Sequence, residues 1–541
     1  MEKSKRIIAA ITVLPILCAV FTACQSSDIR PEDQIINFII ESDPLTLDPQ
    51  IADDRSSAIL IANIFEGLVK SSDDGTISPG IAESWDISND GLEYTFHLAE
   101  NSCWSNGEQL TADDFIFGIT RSLSPETRAD NVSDLFPIKN AVPFYKGEDV
   151  ELGVYAPDDH TLKIELEYPT DGILYVLSEN IAMPCSEEFF YSTKGKYGKD
   201  ADLIITNGPF AIREAYGWEH DKYIYIRRSD NYKGANKAIP LGVDFTITQK
   251  PNNPVDAIVN DQTDLCEIFG SDLGKASEKG LTVTATSNTL WGICFNTDVA
   301  VFRNTNLRIS MLGTLNRNTV LSDAPSSYVR TTQLIGSGVM FAGINYRDTV
   351  GNLTLKKDEA SSELFEKATR ELADIDQSFN KSYTVICLDD DSSSKMVTHM
   401  IEAWNALCPC YFNKLPLSRP ELEERLKSGD YEIAVAPLNT ALDSPMEFLS
   451  KFVSESDSNY INLDYHPYDD FISNALKENS EKSLGYLGNA ESYLVGNGYL
   501  YPLYYESRYF ASNKTLSGAK FGADGISIDF TKASKLSEEQ T

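Results

Sequence analysis

Hydrophobic and polar residues follow two periods along this chain, one typical of strands and one typical of helices. The run Ile35–Ile40 is almost entirely apolar and predicts a buried strand. Residues 94–98 and 162–166 alternate between apolar and polar side chains, which predicts half-buried strands and leaves His97 on the solvent side.

Helical spacing of apolar residues appears in three segments, 59–69, 364–372 and 396–407. A fourth helix is predicted to start at 111–114, where Thr and Asp side chains form a capping-box pattern before an apolar run. Because strands and helices alternate, the expected class is mixed α/β. At roughly 150 residues per domain, the length suggests about three to four domains.

The chain is strongly acidic, with 46 Lys and Arg against 81 Asp and Glu and a net charge of -35. Such a charge repels nucleic-acid phosphates, and no long basic run interrupts it, so no nucleic-acid partner is expected. The nucleophile elbow, the phosphate-binding loop, the zinc-protease helix and the dinucleotide fingerprint are absent from the sequence. We therefore expect neither an enzyme nor a bound cofactor.

The first 24 residues carry a targeting pattern. A basic start is followed by the apolar stretch 7–21, which is too short to span a membrane comfortably, and then by small residues before Cys24. The pattern resembles a bacterial lipoprotein signal, and an ordinary secretory signal is the alternative. The resemblance implies that residues 1–23 are removed, that Cys24 is lipidated and that 24–34 form a tether on the extracytoplasmic face of the cell membrane.

Seven cysteines remain after Cys24 in the expected mature chain. Their odd number and irregular spacing favour buried free thiols over a disulfide framework, and no zinc-binding spacing is present. The acidic run 389–391 invites a calcium interpretation, but it lacks the glycine and distal glutamate of a calcium loop. Its position before a predicted helix favours a helix N-cap instead.

Several motifs follow one another in the order typical of one protein family. The most specific lie early in the chain, at 47–49, 65–68, 81–85, 94–98 and 104–115, and weaker ones lie at 206–210, 295–297 and 501–505. Together they closely resemble the oligopeptide-binding family of extracellular solute-binding proteins. The resemblance covers residues 35 to 525.

The resemblance implies a two-lobed fold with an extra third domain and a discontinuous first lobe. The first lobe would comprise 35–65, 190–286 and 496–541, the extra domain 66–189 and the second lobe 287–495. Such proteins are monomeric receptors that capture a peptide in a closing cleft and hand it to the permease subunits of an ABC importer. The glycines Gly496 and Gly498 would permit bending at the second crossing, or they merely end the preceding helix.

The resemblance also implies a set of ligand-binding residues. The backbone strip that pairs with the ligand falls on Asp53, Asp54 and Arg55. Phe117 and Tyr505 occupy the positions of cleft aromatics, although aromatics fill cores as readily as pockets.

One segment departs from the pattern of the family. The family commonly carries a Trp and, three residues later, an Asp that pairs with the ligand amino terminus; in this chain these positions are Leu438, followed by Asn439, and Ala441. Asp443 lies two residues further along, on the same face if the segment is a strand. Asp443 therefore either takes over the pairing with the amine or is a turn residue, and in the latter case the amine is not recognised as usual.

Other functions remain open at this stage. The same receptor architecture serves for an oligosaccharide, a metal chelate or a signalling peptide, although neither clustered Trp nor abundant His and Met favours the first two. An exported enzyme or chaperone on the same scaffold is a further alternative, because fold alone does not fix function.

Overall fold

The structure is a computed structural model. It describes residues 34–71, 76–129, 132–170, 172–213, 216–248, 253–325, 328–337, 339–341, 344–353, 361–408, 410–439, 445–456, 458–478, 480–522 and 527–535. Cys24, the predicted signal and the predicted tether up to residue 33 lie outside these residues.

A twelve-stranded mixed sheet takes one strand from residues 35–40 and the others from between residues 210 and 512. Ten of its strands follow one another across the sheet in the order Tyr411–Leu417, Ser382–Leu388, Ile433–Asn439, Thr282–Phe295, Leu500–Ser512, Leu265–Ile268, Ile35–Ile40, Gly242–Ile247, Tyr223–Arg228 and Phe210–Ile212. Tyr328–Arg330 and Trp218–Glu219 pair at its side. Parallel and antiparallel pairs both occur, and helices cover the strands, so the mixed α/β class is confirmed.

The α-helices are distributed along most of the chain. Within the described residues and in chain order they are Arg55–Ile64, Ala112–Leu123, Ala141–Tyr145, Ile173–Val176, Glu187–Ser192, Pro254–Val259, Leu273–Glu278, Thr305–Gly313, Arg317–Val320, Tyr346–Val350, Ser361–Asp374, Asp391–Leu407, Arg419–Ser428, Pro445–Ser450, His466–Lys477 and Ser480–Gly496. Within the described residues, no helix combines the length and the apolar character that crossing a membrane requires.

A separate four-stranded antiparallel sheet lies within the range expected for the extra domain. Its order is Ala82–Ile87, Glu93–Leu98, Thr161–Glu165 and Val154–Asp158. The two predicted strands are thus confirmed. His97 is half-exposed, and its Nε2 lies 2.9 Å from Oδ2 of Asp86, as expected for a side chain on the solvent face.

Three of the four predicted helices are confirmed, as Ala112–Leu123, Ser361–Asp374 and Asp391–Leu407. The capping box is present, because the Thr111 backbone N–H donates to Asp114 Oδ2 at 2.8 Å. Asp390 accepts a hydrogen bond from the Ser393 backbone, so the acidic run before the third helix contains its N-cap.

The helix predicted over 59–69 has different limits in the structure, where it is Arg55–Ile64. Asp54 caps its first turn, so the helix starts earlier than the apolar pattern indicates. Phe65 adopts an extended backbone (φ -120°, ψ 158°) and Val69–Ser71 pairs as a strand. Glu66 N–H donates to Asn207 Oδ1 at 3.1 Å, and the Ile64 carbonyl accepts from Gly208 N–H at 2.8 Å. The chain thus turns to contacts with a distant segment, and the helix ends five residues before the apolar pattern does.

The described side chains form two large hydrophobic cores, which lie toward opposite ends of the long strands Thr282–Phe295 and Leu500–Ser512, and one small core around Cys266 and Ala511. The first core takes in side chains from Ile36 to Leu265 and again from Phe510 onward. The second core takes in side chains from Leu290 to Tyr505. The chain therefore returns to the first core after Tyr505, ten residues beyond the predicted boundary at 495, because the long strand continues across both halves.

The seven cysteines of the described residues are free thiols in the structure. Cys103 is half-buried and the other six are buried, which agrees with the expectation that they pack as small apolar side chains. The Sγ atoms of Cys408 and Cys410 lie 2.8 Å apart. Burial raises the pKa of Cys294 to about 12, which keeps this thiol protonated.

Candidate functional site

A cleft of about 2230 Å³ opens between the two cores. Its lining includes Phe65 and Met183 from the first core and Val339 and Tyr505 from the second. Side chains of both halves therefore face the same space. Clefts between lobes are common ligand sites, since a ligand there touches both walls at once.

The wall on the first half includes the segment 49–52, which a buried ion pair fixes. Arg121 Nη2 donates to Asp48 Oδ2 at 2.6 Å, and Arg121 Nη1 donates to Gln50 Oε1 at 2.7 Å. Burial lowers the pKa of Arg121, but the hydrogen bond to Asp48 and the negative charge of that carboxylate outweigh burial, so the pKa is raised overall. Arg121 also lies 4.0 Å from the ring centroid of Phe190.

The predicted ligand-pairing strip lies next to this segment. The Asp54 carboxylate accepts hydrogen bonds from the backbones of Ser57 and Leu45 at 2.9 and 3.0 Å. Arg55 Nη1 pairs with Glu267 Oε2 at 2.6 Å. The lining runs from Pro49 to Ala52 and resumes at Ala58, so it does not include Asp53, Asp54 or Arg55.

The two predicted aromatics have different surroundings. Phe117 packs against Phe190 and Tyr191, with centroids 5.7 and 5.9 Å away, and it is not part of the cleft lining. Tyr505 lines the cleft, and its Oη donates to the Gln333 carbonyl at 3.3 Å. Burial raises the pKa of Tyr505, so its hydroxyl keeps its proton. Of the two aromatics, Tyr505 alone lines the cleft.

Leu438 and Asn439 end a strand of the second half, Ile433–Asn439. Leu438 is only 3% exposed, and its carbonyl accepts a bond from Tyr460 Oη at 2.9 Å. Asn439 pairs with Leu290 of the neighbouring long strand. Asp443 lies outside the described residues.

The wall on the second half depends on a buried glutamate that the sequence motifs do not identify. Glu491 Oε1 accepts bonds from the backbones of Leu334 and Ile335, both at 3.0 Å, and Oε2 accepts from Tyr346 Oη at 3.1 Å. Arg347 completes the cluster by pairing with Glu491 Oε1. The cluster holds the segment that lines the cleft at Gln333 and Gly336.

The sequence does contain one signal for Glu491. It lies in the helix Ser480–Gly496, in register with the buried apolar residues Leu484, Leu487 and Leu494. An acidic residue on the apolar face of a helix needs a buried partner, because an unpaired buried charge is costly. The partner of Glu491 is Arg347, which lies 144 positions earlier in the sequence.

Glu66 lines the opposite wall and is also enclosed by hydrogen bonds. Asn236 Nδ2 donates to Oε1 and Tyr232 Oη donates to Oε2, each at 2.7 Å. Burial raises the pKa of Glu66, and this effect outweighs the two hydrogen bonds, which lower it. Near it, Lys70 Nζ pairs with Asp529 Oδ2 at 3.0 Å. Burial alone would raise the pKa of Asp529, but the Lys70 charge lowers it overall.

Metal-ligating side chains do not cluster in the part of the chain that the structure covers, since no three or more His, Cys, Asp or Glu there are placed to hold an ion. What the cleft offers is a large, mixed apolar and polar surface shared by two halves. That arrangement suits the binding of an extended solute, because both walls supply apolar contacts and hydrogen-bonding groups.

Comparisons with known proteins agree with this arrangement. The model of the family described as "Bacterial extracellular solute-binding proteins, family 5 Middle" matches residues 76–460. A dipeptide-binding protein of Lactococcus lactis is 24% identical over 560 residues, covering 98% of this chain and 99% of the relative. A probable deoxycholate-binding periplasmic protein of Escherichia coli is 32% identical over 216 residues, covering 39% of this chain and 40% of the relative.

Among solved structures, the substrate-binding domain of an oligopeptide ABC transporter from Bacillus anthracis superposes with a TM-score of 0.74. It is 24% identical, and the match covers 94% of this chain and 100% of that one. The likeness confirms the two-lobed fold that the sequence motifs implied.

Proposed function

The chain belongs to the bacterial extracellular solute-binding proteins of family 5, and from this premise we propose that it is a receptor that captures peptides and delivers them to an ABC importer. The observation that carries the proposal is the cleft of about 2230 Å³, because residues of both halves line it. A cleft of this size has room for several peptide residues. The names of the Lactococcus and Bacillus proteins, which refer to dipeptide binding and oligopeptide transport, support the same class of ligand.

The proposed mechanism is closure of the two halves over the peptide. The long strands Thr282–Phe295 and Leu500–Ser512 are antiparallel, and their register shifts between Ser287 and Thr289. A register shift bends a strand and loosens its pairing, so this point suits a hinge. We place the second crossing opposite it, at 506–508, where the chain passes between the cores.

We propose the domain ranges expected from the sequence, except that the second crossing between the lobes is moved from 495 to 506–508. The first lobe comprises 35–65, 190–286 and the chain after 508, the extra domain 66–189 and the second lobe 287–505. The four-stranded sheet gives the extra domain its own strands, while its apolar side chains join the first core. The first lobe and the extra domain would therefore move together as one body.

The proposed ligand-binding residues are those predicted from the sequence: Asp53, Asp54, Arg55, Phe117, Leu438, Asn439, Asp443 and Tyr505. Tyr505 has the strongest support, because it lines the cleft. For Asp53, Asp54 and Arg55 the proposal concerns their backbone groups, since the side chains of Asp54 and Arg55 already bind within the first half. Asp443 would bind the amino terminus of the peptide.

We further propose that a lipid on Cys24 anchors the receptor to the extracytoplasmic face of the cell membrane. The lipoprotein-like pattern around Cys24 supports this, and a tethered receptor stays at high effective concentration near its transporter. The protein would act as a monomer. Labelling growing cells with a palmitate analogue tests the anchor: wild type should be labelled and Cys24→Ser should not.

A second candidate ligand is a bile acid, and one observation favours it. The Escherichia coli relative whose name refers to deoxycholate is 32% identical over 39% of this chain, whereas the Lactococcus relative is 24% identical over 98% of it. A thermal-shift assay with dipeptides, tetrapeptides, hexapeptides and deoxycholate separates the candidates. Peptides should raise the melting temperature, because a ligand that binds only the folded state stabilises it. A shift with deoxycholate alone would overturn the peptide proposal, and peptide cleavage during the assay would overturn the non-enzymatic one.

A further inference from the structure

The lining of the cleft differs in charge from the rest of the chain. The whole sequence carries 46 basic and 81 acidic residues. In contrast, among the described residues nine Lys or Arg and seven Asp or Glu line the cleft, so basic residues are in excess in that part of the lining. Because low-dielectric walls focus the field of their charges, such a cleft concentrates anions although the protein as a whole repels them.

Most acidic side chains of the lining take part in hydrogen bonds or ion pairs. Asp529 pairs with Lys70 at 3.0 Å, and Asp469 accepts bonds from the Ser454 backbone and hydroxyl at 2.9 and 2.8 Å. Glu167 Oε1 accepts from the Asn140 backbone at 2.8 Å. Glu66 is bonded to Tyr232 and Asn236, and Asp134 and Glu179 have partners as well. Glu455 is the remaining acidic residue of the described lining. Hydrogen bonds from neutral donors hold the carboxylates of Asp469 and Glu167 in place but leave their charges, so the excess of basic over acidic residues in the described lining is two.

Six basic side chains of the lining have no carboxylate partner among the described residues. Four of them are exposed and form no ion pair with any residue in the described ranges: Arg128, Lys146, Lys427 and Lys520. Two others bind only neutral acceptors. Lys477 Nζ donates to Ser473 Oγ and Lys532 Nζ donates to the Lys237 carbonyl, each at 2.9 Å, which leaves both charges uncompensated.

These cations lie on both sides of the cleft. Lys427 and Lys477 belong to helices of the second half, Arg419–Ser428 and His466–Lys477. Lys520 lies beside Phe521, which packs on the first core. Closure would bring like charges together and cost energy unless an anion lay between them. An anionic ligand therefore favours the closed state over the open one, which is how a ligand shifts such an equilibrium.

We propose that the ligand is an acidic peptide whose side-chain carboxylates lie between Lys427 and Lys477 on one wall and Lys520 on the other. This inference rests on the proposed function and narrows its substrate class. The inference requires a carboxylate between the lysines of the two walls, and a peptide supplies one as an Asp or Glu side chain. A citrate ion and deoxycholate carry carboxylates without a peptide backbone, so they serve as separate arms of the test.

Calorimetry with matched peptides tests the inference. Tetrapeptides and hexapeptides of alanine carry glutamate, glutamine or lysine at their two central positions, and each is titrated into the wild-type protein at low and high salt. The glutamate peptides should bind about tenfold tighter than the glutamine peptides, and the lysine peptides weakest. High salt should reduce the difference in affinity between the glutamate and glutamine peptides, because salt screens the charges of an open cleft.

A double variant, Lys427→Gln with Lys520→Gln, should lose about tenfold in affinity for the glutamate peptide and less than about twofold for the glutamine peptide. The glutamine peptide thus reports that the variant is folded. Lys279→Gln is the matched control, because Lys279 is exposed and does not line the cleft.

Three results would overturn the inference, and they are distinguishable. Equal affinity of the wild type for glutamate and glutamine peptides would refute the acidic preference and leave the peptide receptor intact. Binding of citrate or deoxycholate with no peptide binding would assign the cations to another anion and refute the proposed function as well. A double variant that binds the glutamate peptide as the wild type does would remove Lys427 and Lys520 from the site.

Discussion

Thr286 and Arg508 lie opposite each other in the two long antiparallel strands, at the point where the chain passes from one core to the other. Residues on one side of this pair contribute to the second core, and those on the other side belong to the first half. Arg508 is also held in the first half, since its Nη1 lies 3.3 Å from both carboxylate oxygens of Glu267. The two strands are therefore the natural axis for any movement of the halves.

The first prediction concerns that movement. A peptide that raises the melting temperature should also reduce the radius of gyration measured by solution scattering, because closure brings the halves together. Hydrogen exchange should change at 286–289 and 506–508 more than in the strand Ile35–Ile40, which lies wholly within the first half. An unchanged radius at saturating ligand would exclude the closing cleft.

The second prediction concerns the buried pair in the second half. Glu491→Gln leaves Arg347 buried without a counter-charge, so the free energy of unfolding should fall by about 3–5 kcal/mol. Chemical denaturation measures this loss. Glu481→Gln, at an exposed position of the same helix, should change it little.

A compensating substitution makes this prediction sharper. Adding Arg347→Met to Glu491→Gln removes both charges, and the glutamine still accepts bonds from the Leu334 and Ile335 backbones. The double variant should therefore be more stable than Glu491→Gln alone. If the double variant is less stable than Glu491→Gln, the unpaired charge of Arg347 does not cause the loss of stability in Glu491→Gln.

The third prediction concerns pH. Burial raises the pKa of Asp114 from its ordinary value of 3.8 to about 6, against hydrogen bonds from Thr111 and Trp104 that lower it. A carboxyl with a raised folded-state pKa stabilises the fold at low pH and loses that contribution as pH rises through the folded pKa. Relative to Asp114→Asn, the wild type should therefore lose about 2 kcal/mol of unfolding free energy between pH 4 and pH 6.

Unfolding curves at several pH values give this difference directly. Asp113→Asn is the control, because Asp113 is the exposed neighbour of Asp114 in the first turn of the same helix. It should leave most of the pH dependence in place. A wild-type stability that rises relative to Asp114→Asn over the same interval would mean that the hydrogen bonds outweigh burial.

Local sequence patterns predict the elements of the fold that local contacts decide. The helix start at Thr111 is predicted correctly because the capping residues, Thr111 and Asp114, are neighbours in sequence. The helix Arg55–Ile64 is predicted too far along the chain, because its end is held by contacts of Ile64 and Glu66 with residues 207 and 208. Contact with a distant segment is a tertiary effect that apolar periodicity does not contain.

The site is harder to predict for the same physical reason. Glu491 binds the backbones of Leu334 and Ile335, more than 150 positions earlier in the chain, so no short motif records the contact. The cations of the cleft come from separate segments, so the net charge of -35 for the whole chain does not indicate that they lie together. Family motifs point to Tyr505, which lines the cleft, and equally to Phe117, which packs with Phe190 away from it.

The fourth prediction concerns Asp443. If its carboxylate binds the peptide amino terminus, Asp443→Asn should weaken binding of free-amine peptides by roughly thirty-fold or more, since losing one partner of a buried charge pair typically costs about 2–5 kcal/mol. N-acetylated versions of the same peptides should bind wild type and variant alike. Equal affinity of both proteins for a free-amine peptide would make Asp443 a turn residue instead.

Native mass spectrometry of the protein purified from its own cells without refolding tests the central claim most directly. A peptide receptor with a cleft of this size should carry peptides through purification, so the spectrum should show added masses that sequencing identifies as peptides, enriched in Asp and Glu. A protein that carries only a non-peptide solute, or one that is empty and unaffected by every peptide added, would contradict the claim.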